Sequence, residues 1–394
     1  MNSKRKKILF INGHLNIGGV EKSLVDLLNW IDYSLYDVDL FLFEGKGDYF
    51  NQLPSTVNII YKDITGSYGS IGKVIYSNIK RGKFSNILFR LFYKMAYTVN
   101  KRLLFLLRIF FKLPSSYDCA IAYRPGFSTD LLTFCINSKR KISYWHHGEC
   151  NYSPKAIKEL ENTWSHIDYI VTVSHGCKKM LETIFSLSSQ KIHVIPNLID
   201  INKIKKLANT NNPYIGEKII NIVTVGTITP EKHIEDVISI MLNLIKKGMK
   251  NIKWHIIGDG CLYNLIKENI KELKLESFII LHGQKINPYP YMKYADLYVH
   301  TSHVESQCLA VLEAMALKTP CVVCKSIGTK EYIISENNGI LTEPNIEDTT
   351  KGIIKMLNYT EEKKKSIVQN AYITVTNSYI PQIINKKLTN LIHG

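Results

Sequence analysis

Short apolar runs and helically spaced apolar positions take turns along this chain. Lys7 to Ile11, Val38 to Phe43 and Val57 to Tyr61 read as buried-type strands. After the first of them a loop carries Gly18 and Gly19. A helix follows from about Val20, with Leu24, Leu27, Leu28 and Ile31 at helical spacing. Strand, glycine loop and helix make the first unit of a parallel α/β sheet. The alternation resumes later with strands at Cys119 to Tyr123, Lys141 to Trp145, Tyr169 to Val173 and Lys191 to Ile195. Asn197 to Gly216 is polar and Asn-rich, with Pro196 just before it and Pro213 within it, which marks a junction. Beyond it a second series runs through strands Ile219 to Val225, Ile252 to Ile257, Phe278 to Leu281, Leu297 to His300 and Cys321 to Val323. Helices are predicted over about 234–247, 263–273, 306–318 and 330–335, and Asp348 to Leu391 is mostly helical.

A chain of 394 residues exceeds what one core holds. The pattern therefore predicts an N-terminal Rossmann-like domain over 1–198, a linker over 199–217 and a C-terminal Rossmann-like domain over 218–375, followed by 376–394. Two doubly wound sheets facing each other hold a ligand at the carboxyl ends of their strands.

Composition changes this picture at one place. Net charge is +16, and between Ile64 and Tyr117 there is no Asp or Glu but ten Lys and Arg. Ile87, Leu88, Leu91, Phe92 and Met95, then Leu103, Leu104, Leu107, Phe110 and Phe111, lie between those bases at helical spacing. This insert, about 64–117, reads as basic amphipathic helices suited to an anionic membrane surface. Its other reading is a helical insert with solvated bases. No nucleic-acid motif accompanies the charge, so no nucleic-acid partner is expected. No apolar segment is long enough to span a bilayer. The apolar run at the start, Ile8 to Ile11, is too short for a signal sequence, and eight scattered cysteines fit reduced thiols. A cytoplasmic protein, peripheral on the inner face of the membrane, is the expectation.

Candidate chemistry concentrates in ADLYVHTSHVESQCLAVLEAMALKTPCVV, residues 295–323. Glu313 falls on a helix face otherwise made of Ala, Leu and Met, where an unpaired carboxylate is costly. Glu305 sits just before that helix. Along a helix, eight residues span about 12 Å, too far for two carboxylates acting on one bond and better suited to two contacts along one extended ligand. Free amides near Gln307, Cys308 and Leu309 favour a phosphate between them. Glu305 as a capping acid and Glu313 as an ion-pair partner is the competing reading. Asp37-Val38-Asp39 fits a D-x-D metal pattern but opens a strand, and Cys321 to Cys324 fits C-x-x-C but lies in an apolar strand. His300 and His303 could touch a sugar and are poorly spaced for a metal. No metal site is predicted.

The run ESQCLAVLEAMA, with its E-x7-E spacing, resembles the signature of the retaining family 4 glycosyltransferases of the GT-B fold. Collinear support comes from Gly18-Gly19, WHHG at 145–148, VTVSHGCKK at 171–179, VIPN at 194–197, VGTITPEKH at 225–233, LHGQKINPYPYMKYADLYVHTS at 281–302, IGTKEYI at 327–333 and NNGILTEP at 337–344. The resemblance implies a nucleotide-sugar cleft between two facing Rossmann-like domains, with the last helix crossing back to the first. It implies that Glu313 holds the ribose, Glu305 lies near the sugar, and Lys232 neutralises the diphosphate with the amides of Cys308 and Leu309. Gly283 and its neighbours line the base pocket, Ser302 joins the donor site, and Gly18 and Gly19 admit close backbone approach. His147 matches the family histidine at the reacting centre, with His146 as its rival.

The implied reaction is metal-independent, retaining transfer to a saccharide or lipid-linked saccharide in bacterial surface-polysaccharide synthesis, capsule included. The nucleotide-sugar is substrate rather than cofactor, and a UDP-sugar is favoured over a GDP-sugar. Departures are Thr227 for arginine, His233 for glycine, Gln307 and Cys308 for a phenylalanine-glycine pair, and Thr301 and Lys330 for prolines. A non-catalytic GT-B partner protein and a sugar-nucleotide epimerase are the alternatives.

Overall fold

The computed structural model describes residues 5–64, 71–111, 113–114, 116–214 and 219–393. Residues 65–70, 112 and 115 of the predicted insert and 215–217 of the predicted linker lie outside the described residues.

Seven strands form the first sheet: β1 (Lys6–Asn12), β2 (Tyr36–Leu42), β3 (Asn58–Tyr61), β4 (Cys119–Ala122), β5 (Lys141–Trp145), β6 (Tyr169–Thr172) and β7 (Ile192–Val194). Their order is β3-β2-β1-β4-β5-β6-β7, and every pairing is parallel. Six form the second: β8 (Ile220–Val225), β9 (Ile252–Ile257), β10 (Ile279–Leu281), β11 (Leu297–His300), β12 (Cys321–Cys324) and β13 (Ile340–Thr342). Their order is β10-β9-β8-β11-β12-β13, again parallel throughout. Parallel sheets are covered on both faces, so their strands must be apolar on both sides. Ile8, Leu9, Phe10 and Ile11 are all fully buried, which is why the strands stand out as unbroken apolar runs.

The helices are α1 (Gly19–Trp30), α2 (Ile71–Lys80), α3 (Phe84–Val99), α4 (Leu107–Phe111), α5 (Phe127–Phe134), α6 (Pro154–Trp164), α7 (His175–Ile184) and α8 (Ile201–Ala208). Then come α9 (Asp236–Lys246), α10 (Tyr263–Glu272), α11 (Tyr289–Tyr294), α12 (Leu309–Ala316), α13 (Ile346–Asn358), α14 (Glu361–Ser378) and α15 (Pro381–His393). Helix α14 packs on α12 of the second domain. Helix α15 lies on the first, where Ile384 and Leu388 join the core, Tyr36 Oη meets His393 Nε2 at 2.8 Å and Arg140 donates to the Leu391 carbonyl at 2.8 Å.

Several expectations need correction. The predicted helix over 306–318 starts at Leu309, because Cys308 sits in the left-handed region at φ 65 and the chain cannot wind helically through it. The predicted helix over 330–335 is only a 3₁₀ turn, Thr329–Glu331. The polar stretch 199–217 holds a helix, α8. Asp200 caps it by accepting from Lys203 N at 2.9 Å, and Ile201, Ile204 and Ala208 bury one stripe. The basic insert has two apolar faces, not one. Phe89 and Ala96 of α3, with Leu104, Leu107 and Phe111, enter the core beside Phe41 and Phe43. Phe84, Leu88, Leu91 and Met95 form an opposite stripe at i, i+4, i+7 and i+11, exposed by 62, 68, 44 and 45%. Among the described residues no helix is long and apolar enough to cross a membrane.

Candidate active site

The two sheets face each other across a cavity of about 680 Å³ at the carboxyl ends of their strands. Gly18, Gly19, Lys22 and His146 line it from the first domain. Thr227, Lys232, Glu305, Cys308, Leu309 and Glu313 line it from the second. Both domains reach it through the loops that follow β1, β5, β8 and β11, and helix α12 points its N-terminal amides into it. Because 306–308 are not helical, the helical rise does not measure the gap between the two glutamates, and that part of the spacing argument falls.

Glu305 is the centre of one charge cluster. Its Oε1 lies 2.7 Å from Lys232 Nζ and 2.9 Å from His300 Nε2. Burial pushes the carboxyl up, but Lys232 and His300 outweigh it and hold it down at about 2. Burial likewise lowers Lys232, and Glu305 more than restores it, so the ammonium stays above its ordinary range. Cys308 Sγ is 3.2 Å from His300 Nε2, and burial raises its thiol well above the usual value. The cluster is a cation and an anion held side by side in a site largely shielded from water, where an incoming anion can compete for the cation.

Glu313 centres a second cluster that joins the domains. Lys22 Nζ of α1 lies 2.9 Å from its Oε1, and Tyr289 Oη donates to the same oxygen at 3.2 Å. Lys22 also meets Asp26 at 2.5 Å, and Asp26 meets Lys203 of α8 at 2.7 Å. Burial alone would lower the Lys22 ammonium, but Asp26 and Glu313 hold it well above its ordinary value. The buried carboxylate predicted to need a partner has one, supplied from the opposite domain.

Of the other residues singled out in the sequence, His147, Ser302, Gly283 and Gln307 fall outside the cavity wall. His146 lines it and His147 does not. His147 is exposed, and its carbonyl accepts from Trp145 Nε1 at 2.8 Å. His146 is buried against Tyr123 and Tyr144, its Nε2 has no hydrogen-bond partner among the described residues, and burial lowers its pKa to about 3. Ser302 is fully buried and donates to the Glu231 and Val304 carbonyls at 3.1 Å, so it ties loops together and makes no contact with the cavity. Gly283 turns the chain at φ 67, while its neighbours Gln284 to Asn287 form the wall. Gln307 does not face the cavity either. Its amide is fixed to the Asn197 backbone, accepting from N at 2.7 Å and donating to O at 3.1 Å.

Lys330 is exposed and does not line the cavity. Cys321 and Cys324 are buried free thiols in β12. Asp39 is taken by Asn58 and Tyr117, and Asp37 by Arg5. Sequence reasoning missed Lys22, Tyr289 and Asn197 as cavity residues. For Lys22, the basic residue directly behind Gly18-Gly19-Val20-Glu21 was the available clue.

The family model described as "Glycosyl transferases group 1" matches residues 208–374, and "Glycosyltransferase Family 4" matches residues 17–203. The chain is 27% identical over 202 residues to the poly(ribitol-phosphate) alpha-N-acetylglucosaminyltransferase of Staphylococcus aureus, covering 51% of this chain and 40% of that protein. It is 26% identical over 217 residues to the UDP-Gal:alpha-D-GlcNAc-diphosphoundecaprenol alpha-1,3-galactosyltransferase of Escherichia coli, covering 50% and 56%. The chain thus spans about half the length of the curated relatives it matches. A crystal structure of a S. aureus TarM point mutant with fondaparinux, alpha-GlcNAc-glycerol and UDP superposes with a TM-score of 0.73 at 16% identity, covering 99% of this chain and all of that one. That likeness shows the fold, GT-B.

Proposed function

This chain belongs to the family 4 glycosyltransferases of the GT-B fold, and from that membership and the charge clusters of the cleft we propose that it moves a sugar from a nucleoside-diphosphate-sugar to a hydroxyl of a saccharide acceptor, with retention at the anomeric carbon. The observation that carries the reading is the Lys232–Glu305–His300 cluster in the same cavity as Leu309, the first residue of α12, and Glu313, four residues further along that helix. The ribose hydroxyls reach Glu313, the diphosphate lies over the amides of Cys308 and Leu309, and Lys232 turns from Glu305 to the leaving phosphate. As the bond from C1 to the β-phosphate oxygen breaks, a bond from C1 to the acceptor oxygen forms on the same face, and the hydroxyl proton passes to the leaving phosphate. Lys232 and the helix amides stabilise the charge that develops there, so the step needs no divalent ion. His146, which lines the cavity where His147 does not, stands nearer the reacting sugar in this reading.

A UDP donor and an acceptor carried on a lipid diphosphate are proposed from the activity of the E. coli relative, and assembly of a bacterial surface polysaccharide from the activities of both relatives. The exposed stripe of α3, with the exposed bases Lys80, Arg81, Lys83, Lys94 and Arg102 around it, supports docking on the anionic inner face of the membrane, where such an acceptor resides.

The test is a panel of nucleotide-sugars, read by thermal shift and by hydrolysis with and without chelator. One UDP-sugar should stabilise the protein and turn over in chelator. Lys232→Ala should lower kcat by about 10²–10³, and Glu313→Ala should weaken UDP binding. Nucleotide binding with no turnover, unaltered by Lys232→Ala and Glu305→Ala, would favour the non-catalytic reading, for which Thr227 in the cavity wall is the supporting observation. If no nucleotide-sugar binds at all, the proposal fails.

A further inference from the structure

His233 occupies a position where the family pattern has glycine, and it holds the left-handed conformation, φ 48, that a glycine would take freely. A residue kept in that region costs of order 1 kcal/mol, and such strain gathers where a side chain is used. The imidazole of His233 stacks on His303, ring centroids 3.6 Å apart and planes 16° from parallel. Both rings bracket Asp236, the first residue of α9. His233 Nδ1 is 3.9 Å and His303 Nε2 is 3.7 Å from Asp236 Oδ2. No Lys or Arg nitrogen lies within ion-pair distance of Asp236 among the described residues, and His303 Nε2 has no hydrogen-bond partner there. The three side chains stay 34, 26 and 22% exposed for His233, His303 and Asp236, while His303 Nε2 itself is buried, so the His303 ring turns when that nitrogen meets an ion from solvent.

We propose that His233, Asp236 and His303 form a surface site for a divalent transition-metal ion of the zinc type, separate from the sugar-transfer cavity. Two imidazoles and one carboxylate are a ligand set that such ions take, with remaining positions left to water. Ligands about 2.0–2.1 Å from a tetrahedral ion stand about 3.4 Å from one another, so the two separations to Asp236 need to close by only about half an ångström or less, and all three ligand atoms already lie within 4.8 Å of one another. The nearly parallel rings must splay for their nitrogen lone pairs to converge, a rotation that partly exposed side chains can make.

The ion would act as a staple. His233 ends the turn that carries Lys232, and His303 lies two residues before Glu305. Thr301 and Ser302 already tie these loops by donating to the Lys232 and Glu231 carbonyls at 3.1 Å. A metal between His233 and His303 would add a coordinate link at the same seam and hold the Lys232 turn in place.

The experiment needs no sugar substrate, so it is independent of the activity proposed above. Chelator-treated full-length protein is titrated with Co²⁺ and read by its visible absorption bands, with Zn²⁺ as the displacing ion. One Co²⁺ should bind per chain, Zn²⁺ should displace it, and Zn²⁺ should raise the melting temperature. His303→Ala and His233→Gly should each weaken the Kd at least tenfold. His233→Gly suits the backbone at this position, so its loss of binding reads out ligation and not misfolding. Absence of a saturable band, binding unaltered in both variants, or an intense thiolate charge-transfer band placing the ion at Cys308 would each overturn the proposal.

Discussion

At the scale of single residues, Glu305 shows how a buried carboxylate can be both stabilising and available. Its pKa in the fold is about 2, against an ordinary 4.5. A carboxyl lowered by folding adds stability above its ordinary pKa and loses it as pH falls toward the folded value. Wild-type stability should therefore fall between about pH 4.5 and 2, while Glu305→Gln should show a flatter curve, the two differing by on the order of 3 kcal/mol. His146, pushed down to about 3 by burial, also opposes folding below pH 6.5, and subtracting one urea-denaturation curve from the other removes that contribution. Equal acid slopes in the two proteins would refute the ion-pair role. That Glu305, Lys232 and Glu313 line the cleft was legible through the family resemblance of the motifs that carry them. The choice between His146 and His147 was not, because neighbouring residues leave a strand on opposite sides and only the exit of β5 decides which faces the cleft. The placement of the Gln307 side chain was illegible for a similar reason. Its partner, the Asn197 backbone, is 110 residues away in sequence, and no local pattern announces it.

At the scale of elements, α3 has the clearest consequence. A helix with one apolar stripe in a core and a second in solvent exposes more apolar surface than folding explains. Leu88→Glu with Leu91→Glu should abolish binding to vesicles containing anionic lipid and leave the melting temperature nearly unchanged, since both side chains are exposed. Phe89→Ala, on the inward stripe against Phe110, Phe111 and Phe127, should instead cost about 3–5 kcal/mol in chemical denaturation. Retained vesicle binding in the double variant would leave the outer stripe without that role. Helical spacing revealed that the insert was amphipathic but merged its two stripes, because apolar residues on both sides of a helix read as one broad face. The short elements escaped for another reason. Three-residue β13 and six-residue α11 are too brief to carry a period, and α8 was hidden by the polar residues around its Asp200 cap.

At the scale of the whole molecule, the two domains are drawn together by contacts that each use one residue from either side. Lys22 meets Glu313, Gln307 meets the Asn197 backbone, and the Glu331 carboxylate accepts from the first amides of α7, His175 N at 3.0 Å and Gly176 N. The last is a charge at a helix N-terminus, where it is favoured. Backbone also approaches backbone: a Cβ added at Gly148 would sit 2.7 Å from the Glu305 carbonyl carbon and 2.9 Å from Ser306 N. That contact joins the domains beside the Lys232–Glu305 cluster, since Gly148 follows His146 by two residues. A valine at 148 cannot fit without moving one wall, and both contacted atoms are backbone. Gly148→Val should therefore hold the domains apart. Its radius of gyration in X-ray scattering should exceed that of wild type, and saturating UDP should fail to bring it back. Nucleotide affinity should fall only modestly, since Glu313, Lys232 and the α12 amides all belong to the second domain. Turnover should fall about 10²-fold or more, because a misplacement of about 1 Å at the reacting centre is enough to do that. Unchanged scattering and unchanged turnover would mean that chemistry does not require the closure seen here.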